Sequence, residues 1–391
     1  MIHTETSIQC PVCVSTDLEV LYPEYEGACI TSDYAVLGAS ALANRCCRRC
    51  GLVFNARGTR GDTKAFYRDS YSLMLRKESS AIQSFTGPQP MSQAEKSLRV
   101  LLQMSALPDR GRVLEIGAGK GEFLGHFLRE RPSWSVVALE PSAAVDALRA
   151  VVKNGEARRG AYLDYAAEPA SFDLVVALGV LEHVENPLDL TAWAWAALKL
   201  GGIFFVRVPN FARNPNDLFC ADHLSKLTLP TLRSLAKASG FNVVGELEEG
   251  VPVFIALRKS AEASSPMPLT AYEENIAVSR TNVAVAEAGV TAVLDARTAA
   301  QARGERFAVF GLGASGLFAP FYAGFPASDI AAYIDENKTI WGTEVHGRPV
   351  GGLDLINELA IRHVALAVSP VYIPKIREKL TPFGVSVYAG A

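Results

Sequence analysis

The chain has 391 residues, 49% of them hydrophobic and 20% charged, with a formal net charge of −3. That length predicts two or three domains, and the composition leaves no room for long disordered regions or for the basic excess of a nucleic-acid binder. The first residues lack the pattern of a secretory signal, and no apolar run reaches the ~18 residues of a membrane span. A cytoplasmic protein is expected, with no nucleic-acid or membrane partner; the oligomeric state is left open.

Residues 1–60 hold two Cys-x-x-Cys pairs, Cys10-Pro-Val-Cys13 and Cys47-Arg-Arg-Cys50. Two-residue spacing lets both thiolates of a knuckle reach one ion, and two knuckles complete a closed tetrahedral Zn2+ site. A segment this short has little core of its own, so the metal would supply folding energy. Cys46 lacks the spacing to Cys50. Cys29 and Cys220 read as small buried residues.

Residues 61–258 read as an α/β domain. A helix is predicted over 92–106, followed by strands at 112–116, 135–140, 173–178, 203–208, 241–246 and 253–257. Helices fall at 121–130, 142–152, 187–199 and 228–239. Apolar strands alternating with helices indicate a parallel sheet covered on both faces. The strand Val113–Ile116 runs into Gly117-Ala118-Gly119-Lys120-Gly121, two residues after Glu115, and a helix starts at once. Such glycines allow a tight turn and close approach of a ligand. Glu140 ends the second strand, where an acid accepts hydrogen bonds from ribose hydroxyls.

The stretch 258–269, rich in Ser, Ala and Pro, reads as a linker. A long helix is predicted over 270–303, broken near Gly289. Residues 304–391 form a second α/β series, with strands at 307–310, 331–334, 364–368 and 385–388. Its first strand leads into Gly311-Leu312-Gly313-Ala314-Ser315-Gly316, and Asp335 follows 19 residues after Gly316. Taken alone, this is a dinucleotide fingerprint.

The segment Val113–Phe123 resembles motif I of class I S-adenosylmethionine (SAM) dependent methyltransferases. In that family the loop wraps the methionine part of SAM and the acid at the Glu115 position faces its ammonium. The resemblance continues through Glu140-Pro141, through Tyr162 and Leu163 at the adenine contacts, through the strand ending at Leu178, and through Leu181-Glu182-His183. The order of the whole chain resembles the zinc-containing sugar C-methyltransferases, such as the nucleotide-deoxysugar enzymes. It does so in CRRCGLVF (47–54), in the glycine loop and in NPNDLFCADHLSKLT (214–228). The fold implied is a small four-cysteine zinc module, a Rossmann-like methyltransferase sheet and a second Rossmann-like α/β domain.

Carbon methylation needs a proton removed beside a carbonyl, and a histidine titrates in the right range. The resemblance assigns the base to the acid–His pair, here Asp222-His223, with Asp222 orienting the imidazole or binding a hydroxyl. His183 is the second candidate, as base or as oxyanion donor. Tyr67 and Tyr71 match a stretch lining the substrate pocket, although plain packing also accounts for them. Asn210, after the 203–208 strand, joins the substrate set. In the family the C-terminal domain helps hold the nucleotide part of the substrate, so Gly311, Gly313 and Ser315 would cradle phosphates; a true NAD site or a packing role are the alternatives. The deoxysugar members carry Tyr-x-Glu-His where this chain has Cys220-Ala221-Asp222-His223. The acceptor therefore stays open between a nucleotide-linked keto-sugar, a related metabolite, and an O- or N-acceptor on a small molecule or glycan. His3, His126, His346 and His363 receive no role.

Overall fold

The structure, a computed structural model, describes residues 8–33, 35–71, 83–84, 91–153, 155–248, 250–261 and 271–390. Most of the linker 258–269 and of the Tyr-rich stretch 62–90 lies outside the described residues, as does His3. No helix among the described residues is long and apolar enough to cross a membrane.

The central sheet has seven strands. From one edge to the other they are Phe241–Glu248, Pro252–Lys259, Leu198–Pro209, Phe172–Leu178, Arg112–Ile116, Ser135–Glu140 and Glu156–Arg159. All run parallel except Pro252–Lys259, which is antiparallel to both neighbours. The sheet order reverses between Arg112–Ile116 and Phe172–Leu178, and the crevice beyond such a switch point is where open α/β sheets bind ligands. The predicted helices appear as Gln93–Met104, Glu122–Glu130, Val145–Val151, Pro187–Ala197 and Leu229–Ala238. Ser92 caps the first, its hydroxyl accepting from Glu95 N at 3.0 Å, which satisfies one of the donors a helix start leaves open.

A four-stranded sheet precedes it. Leu18–Ile30 and Val36–Cys47 form a long antiparallel hairpin broken by bulges, and Val53–Asn55 adds to its edge. The fourth strand, Ser225–Lys226, comes from the far end of the catalytic domain. Residues 18–55 therefore share a sheet with a segment about 170 positions on. The N-terminal region and the catalytic domain share a core too, because Cys10, Cys47, Leu52 and Phe54 pack with Leu227 and Val206.

The C-terminal region is a six-stranded sheet whose four inner strands, Ile330–Ile334, Arg306–Phe310, Ile361–Leu366 and Arg348–Gly351, are parallel, with Ser386–Ala389 parallel at one edge and Glu344–Val345 antiparallel at the other. The long helix spans Tyr272–Arg303 without the break expected at Gly289. A side chain at Gly289 would meet open space; the close approach is made by Gly390, where a side chain would lie 2.9 Å from Gly289 N, so residue 390 rests on the helix backbone there.

Candidate active site

Beyond the switch point lies a cavity of about 510 Å³, lined by Gly117, Gly119, Glu140, Pro141, Tyr162, Leu163 and Leu178 among others. Gly119, at φ +55°, adopts a backbone conformation that favours glycine, and it leaves the cavity side open. Both Glu140 oxygens are held by backbone N–H groups, from Gly119 and Ser142, each at 2.8 Å. Each oxygen keeps a lone pair for a further donor. Tyr162 meets Trp193 edge-on, and burial pushes its phenol up to about 12. Ala118 and Gly121 shape the loop from behind and do not line the cavity: Ala118 N donates to Leu139 O, and Gly121 starts the helix Glu122–Glu130 in a left-handed conformation. Glu115 also sits behind the loop. Burial and the nearby Glu140 carboxylate raise its pKa well above the usual range, and its Oε2 has no hydrogen-bond partner.

Residues 59–71 cross over this cavity as a strap. One Glu185 carboxylate accepts from Gly61 N at 2.8 Å, Thr63 Oγ1 at 2.5 Å and Arg60 Nη1 at 3.2 Å, while Lys64 pairs with Asp164. The strap carries Tyr67 into a buried polar cluster. The Tyr67 hydroxyl donates to Asp222 Oδ2 at 2.8 Å and lies 2.5 Å from His183 Nδ1. His183 Nδ1 is also 3.0 Å from the Asp222 carbonyl. A carbonyl only accepts, so Nδ1 bears the proton. Tyr67 thus does more than pack. Tyr71 stays beside it with ring centroids 4.9 Å apart.

Asp222 does not orient His223, contrary to the expectation for an acid–His pair. Its carboxylate accepts from Ser32 N at 2.7 Å, Ser32 Oγ at 2.6 Å, Tyr67 and Cys220 Sγ at 3.2 Å. Burial alone would raise its pKa, but the His183 and His223 imidazoles and the donors hold it at about 2. The partner of His223 is Asp217, bonded to its Nδ1. Burial draws the His223 pKa down, while Cys220 and the Asp217 carboxylate push it up, and the net shift is well upward. Lys226 Nζ, fully buried, donates to the carbonyls of Cys220 and His223 and fixes the turn between them. Asp217 and Ser32, which line the cavities, were not singled out in the sequence, and Glu182 was named there only as part of the Leu181–His183 segment.

A second cavity, about 370 Å³, opens on the other side of His223. Its lining joins Asn214, Asp217 and Cys220 to Gly311, Gly313 and Ser369, and Ser32 and His223 line both cavities. The Asp335 carboxylate accepts from Leu312 N at 2.9 Å and Asn337 N at 2.8 Å, in the manner of Glu140 beneath the first loop. Two expected residues fall elsewhere. Asn210 is fully buried, with Oδ1 capping Ala212 N at 3.0 Å and Nδ2 donating to Glu248 at 3.1 Å; it builds the turn and faces neither cavity. The Ser315 hydroxyl points behind the loop toward Ala367 O at 3.4 Å and is likewise absent from the lining.

Outside the lining of both cavities, the thiols of Cys10, Cys13, Cys47 and Cys50 converge within 4.8 Å of one another. Cys10–Cys50 and Cys13–Cys47 are each 3.5 Å apart at sulfur. A tetrahedral ion with bonds of about 2.3 Å needs sulfurs about 3.8 Å apart, so the donor set fits one. Hydrogen bonds from Cys10 and Cys50 lower the pKa of the Cys47 thiol, and the contact with Cys47 raises that of Cys10. Cys46 faces away, toward Gly51 O.

Residues 92–246 match the family model described as a methyltransferase domain. These residues therefore carry a methyltransferase domain. A protein of Mycolicibacterium smegmatis, described as a probable SAM-dependent methyltransferase, is 29% identical over 146 residues, which is 36% of this chain. The match covers 54% of that relative's length. Similar solved structures include a SAM-dependent methyltransferase from Mesorhizobium loti, 18% identical with a TM-score of 0.36, covering 42% of this chain and 98% of that one. Another is the [4+2]-cyclase SpnF, 14% identical with a TM-score of 0.38, covering 44% and 82%. The methyltransferase domain contains both histidines and Glu140. The four cysteines and the C-terminal glycine loop lie outside the matched residues.

Proposed function

We propose that this protein methylates a carbon next to a carbonyl on a small metabolite, a keto-sugar or its nucleotide-linked form, with His223 as the base. One observation carries the reading: His223, backed by Asp217, stands in the wall shared by the two cavities. A group there can reach a donor on one side and an acceptor on the other.

SAM, when bound, supplies an electrophilic methyl group. Glu140 would accept from its ribose hydroxyls, Gly117 and Gly119 would lie along its methionine end, and Tyr162 and Leu163 would flank its adenine. On the acceptor side, the deprotonated form of His223 would take the proton; the Asp217 carboxylate that raises its pKa also aims its free lone pair and stabilises the cation that forms. His183, Tyr67 and Asp222 form a donor network beside it, suited to the oxygen that gains charge as the carbon is deprotonated. The rest of the acceptor extends into the second cavity. No Lys or Arg is among its described lining residues, so a phosphate there would rely on backbone N–H groups at the start of the helix Ala314–Tyr322. The four cysteines would hold a structural Zn2+.

Proton exchange tests the chemistry. The acceptor, incubated in D2O with enzyme and a SAM analogue lacking the transferable methyl, should gain deuterium at one carbon. His223→Asn should bind both ligands yet slow exchange by about 10²–10⁴-fold. Loss of exchange in His183→Asn but not in His223→Asn would make His183 the base. Methyl transfer to oxygen or nitrogen with no carbon exchange would remove the carbanion reading altogether.

A further inference from the structure

Beside the base lies a carboxylate that this chemistry does not use. Glu182 is 2% exposed, lines the larger cavity, and its Oε2 has no hydrogen-bond partner. A buried carboxylate with one oxygen left unpaired is costly, and a bound ion is one thing that would satisfy it. It sits in the turn after Phe172–Leu178, where its own carbonyl is pinned by Ser225 N at 3.0 Å.

We propose that Glu182, His183 and His223 form a binding site for a divalent transition-metal cation, separate from the four-cysteine cluster. One donor atom from each lies within 4.8 Å of the other two. The two imidazoles meet edge-on with centroids 4.7 Å apart, and His183 Nε2 is 3.8 Å from Glu182 Oε1. Both rings are anchored in the way metal-binding histidines are. His183 gives Nδ1 to Tyr67 and the Asp222 carbonyl, and His223 gives Nδ1 to the Asp217 carboxylate. Such outer partners fix tautomer and orientation. All three residues line the cavity, so the remaining coordination positions face a bound molecule. Two imidazoles and one carboxylate suit Zn2+, Co2+, Ni2+, Mn2+ or Fe2+ better than the oxygen-seeking Mg2+ and Ca2+. The charges facing the site are mixed, Asp217 and Asp222 against Arg207 and Lys226, so a dication does not enter a positive field.

The cation would take the lone pairs that proton removal needs. Occupancy and base catalysis therefore exclude one another, and the metal acts as an inhibitor of the proposed reaction. Only this consequence rests on the histidine-base reading; the site itself does not.

The test uses the full chain with its cysteine cluster saturated with zinc, at pH 8, titrated with Co2+. One further equivalent should bind, with weak visible bands of nitrogen and oxygen ligation. Glu182→Gln and His183→Asn should each weaken it at least 10-fold while circular dichroism and zinc content stay unchanged, and Cys220→Ser should leave it intact. No further equivalent, equal binding by the first two variants, or strong thiolate absorption would overturn the site. Deuterium exchange should stop when the cobalt binds. Exchange that continues with cobalt bound would leave the site standing and defeat the base assignment instead.

Discussion

Glu140 and Asp222 are both buried acids, and their partners separate their roles. Glu140 accepts two backbone N–H bonds and faces the larger cavity. Glu140→Ala should weaken SAM binding by about 1–3 kcal/mol, the scale of hydrogen bonds to a charged group. Calorimetry showing unchanged affinity would contradict the ribose role. Asp222 accepts bonds that tie the N-terminal hairpin and the strap to the catalytic turn. Its pKa falls from 3.8 to about 2 on folding, so it stabilises the fold above pH ~4 and loses that contribution as the pH drops toward 2. The difference amounts to about 2 kcal/mol. Urea unfolding of Asp222→Asn and the parent should therefore differ most at neutral pH and converge in acid; a gap that stays constant would mean the charge is not what stabilises. The motif residues at this scale were legible because strand–glycine–helix turns fix their own neighbours. Asp217 was not, since six positions from His223 it belongs to no repeating pattern. Ser32 was further out of reach, because its contact with Asp222 spans 190 positions.

Periodicity governed which elements could be read. The catalytic strands are apolar runs buried on both faces, and their helices are bounded by caps such as Ser92, Asn186 and Thr228. Of the hairpin Leu18–Cys47 only short β-prone stretches between the cysteines were legible, because bulges break its alternation. The strap at 59–71 escaped for another reason. It is three helical residues followed by a single wide turn, Phe66–Ser70, held by side chains from distant segments. Its bonds to Glu185 suggest that it must lift for SAM to pass. Glu185→Ala removes acceptors for three donors and should speed SAM dissociation by about 10-fold, equivalent to about 1.4 kcal/mol. Stopped-flow release would measure it, and amide exchange over 61–71 should rise in parallel. An unchanged release rate would make the strap a fixed wall.

The long helix joins the pieces at the scale of the whole molecule. At 32 residues it is about 48 Å long. Near its start Asn275, fully buried, donates to Gly51 O and to Thr231, both at 2.8 Å. Gly51, at φ +76°, lies so close to Ala271 that a side chain would fall 2.4 Å from its carbonyl carbon. Further along, Asn282 bonds Phe211 O and Arg297 pairs with Asp329. Because Gly51 follows Cys50, a zinc-bound cluster would support the helix seat as well as its own knuckles. Chelation, or Cys47→Ser, should therefore lower the Tm of the chain in one transition and remove one zinc per chain. A separate early transition with the main one unmoved would show the N-terminal module to be independent.

The turn 211–228 has a consequence for how such a protein can diversify. It is held by the hairpin through Asn44 and Ile30, by the long helix through Asn282, and by the C-terminal sheet through Ser369. The glycine loop, by contrast, is held by bonds to Leu139 and Glu140 and packs on Leu148, Val151 and Val180, all within residues 92–246. A chimera that exchanges only the segment 92–246 between relatives would keep its donor and misplace its base, whereas one that moves the hairpin, the turn and the C-terminal sheet as a single cassette would carry acceptor preference with it.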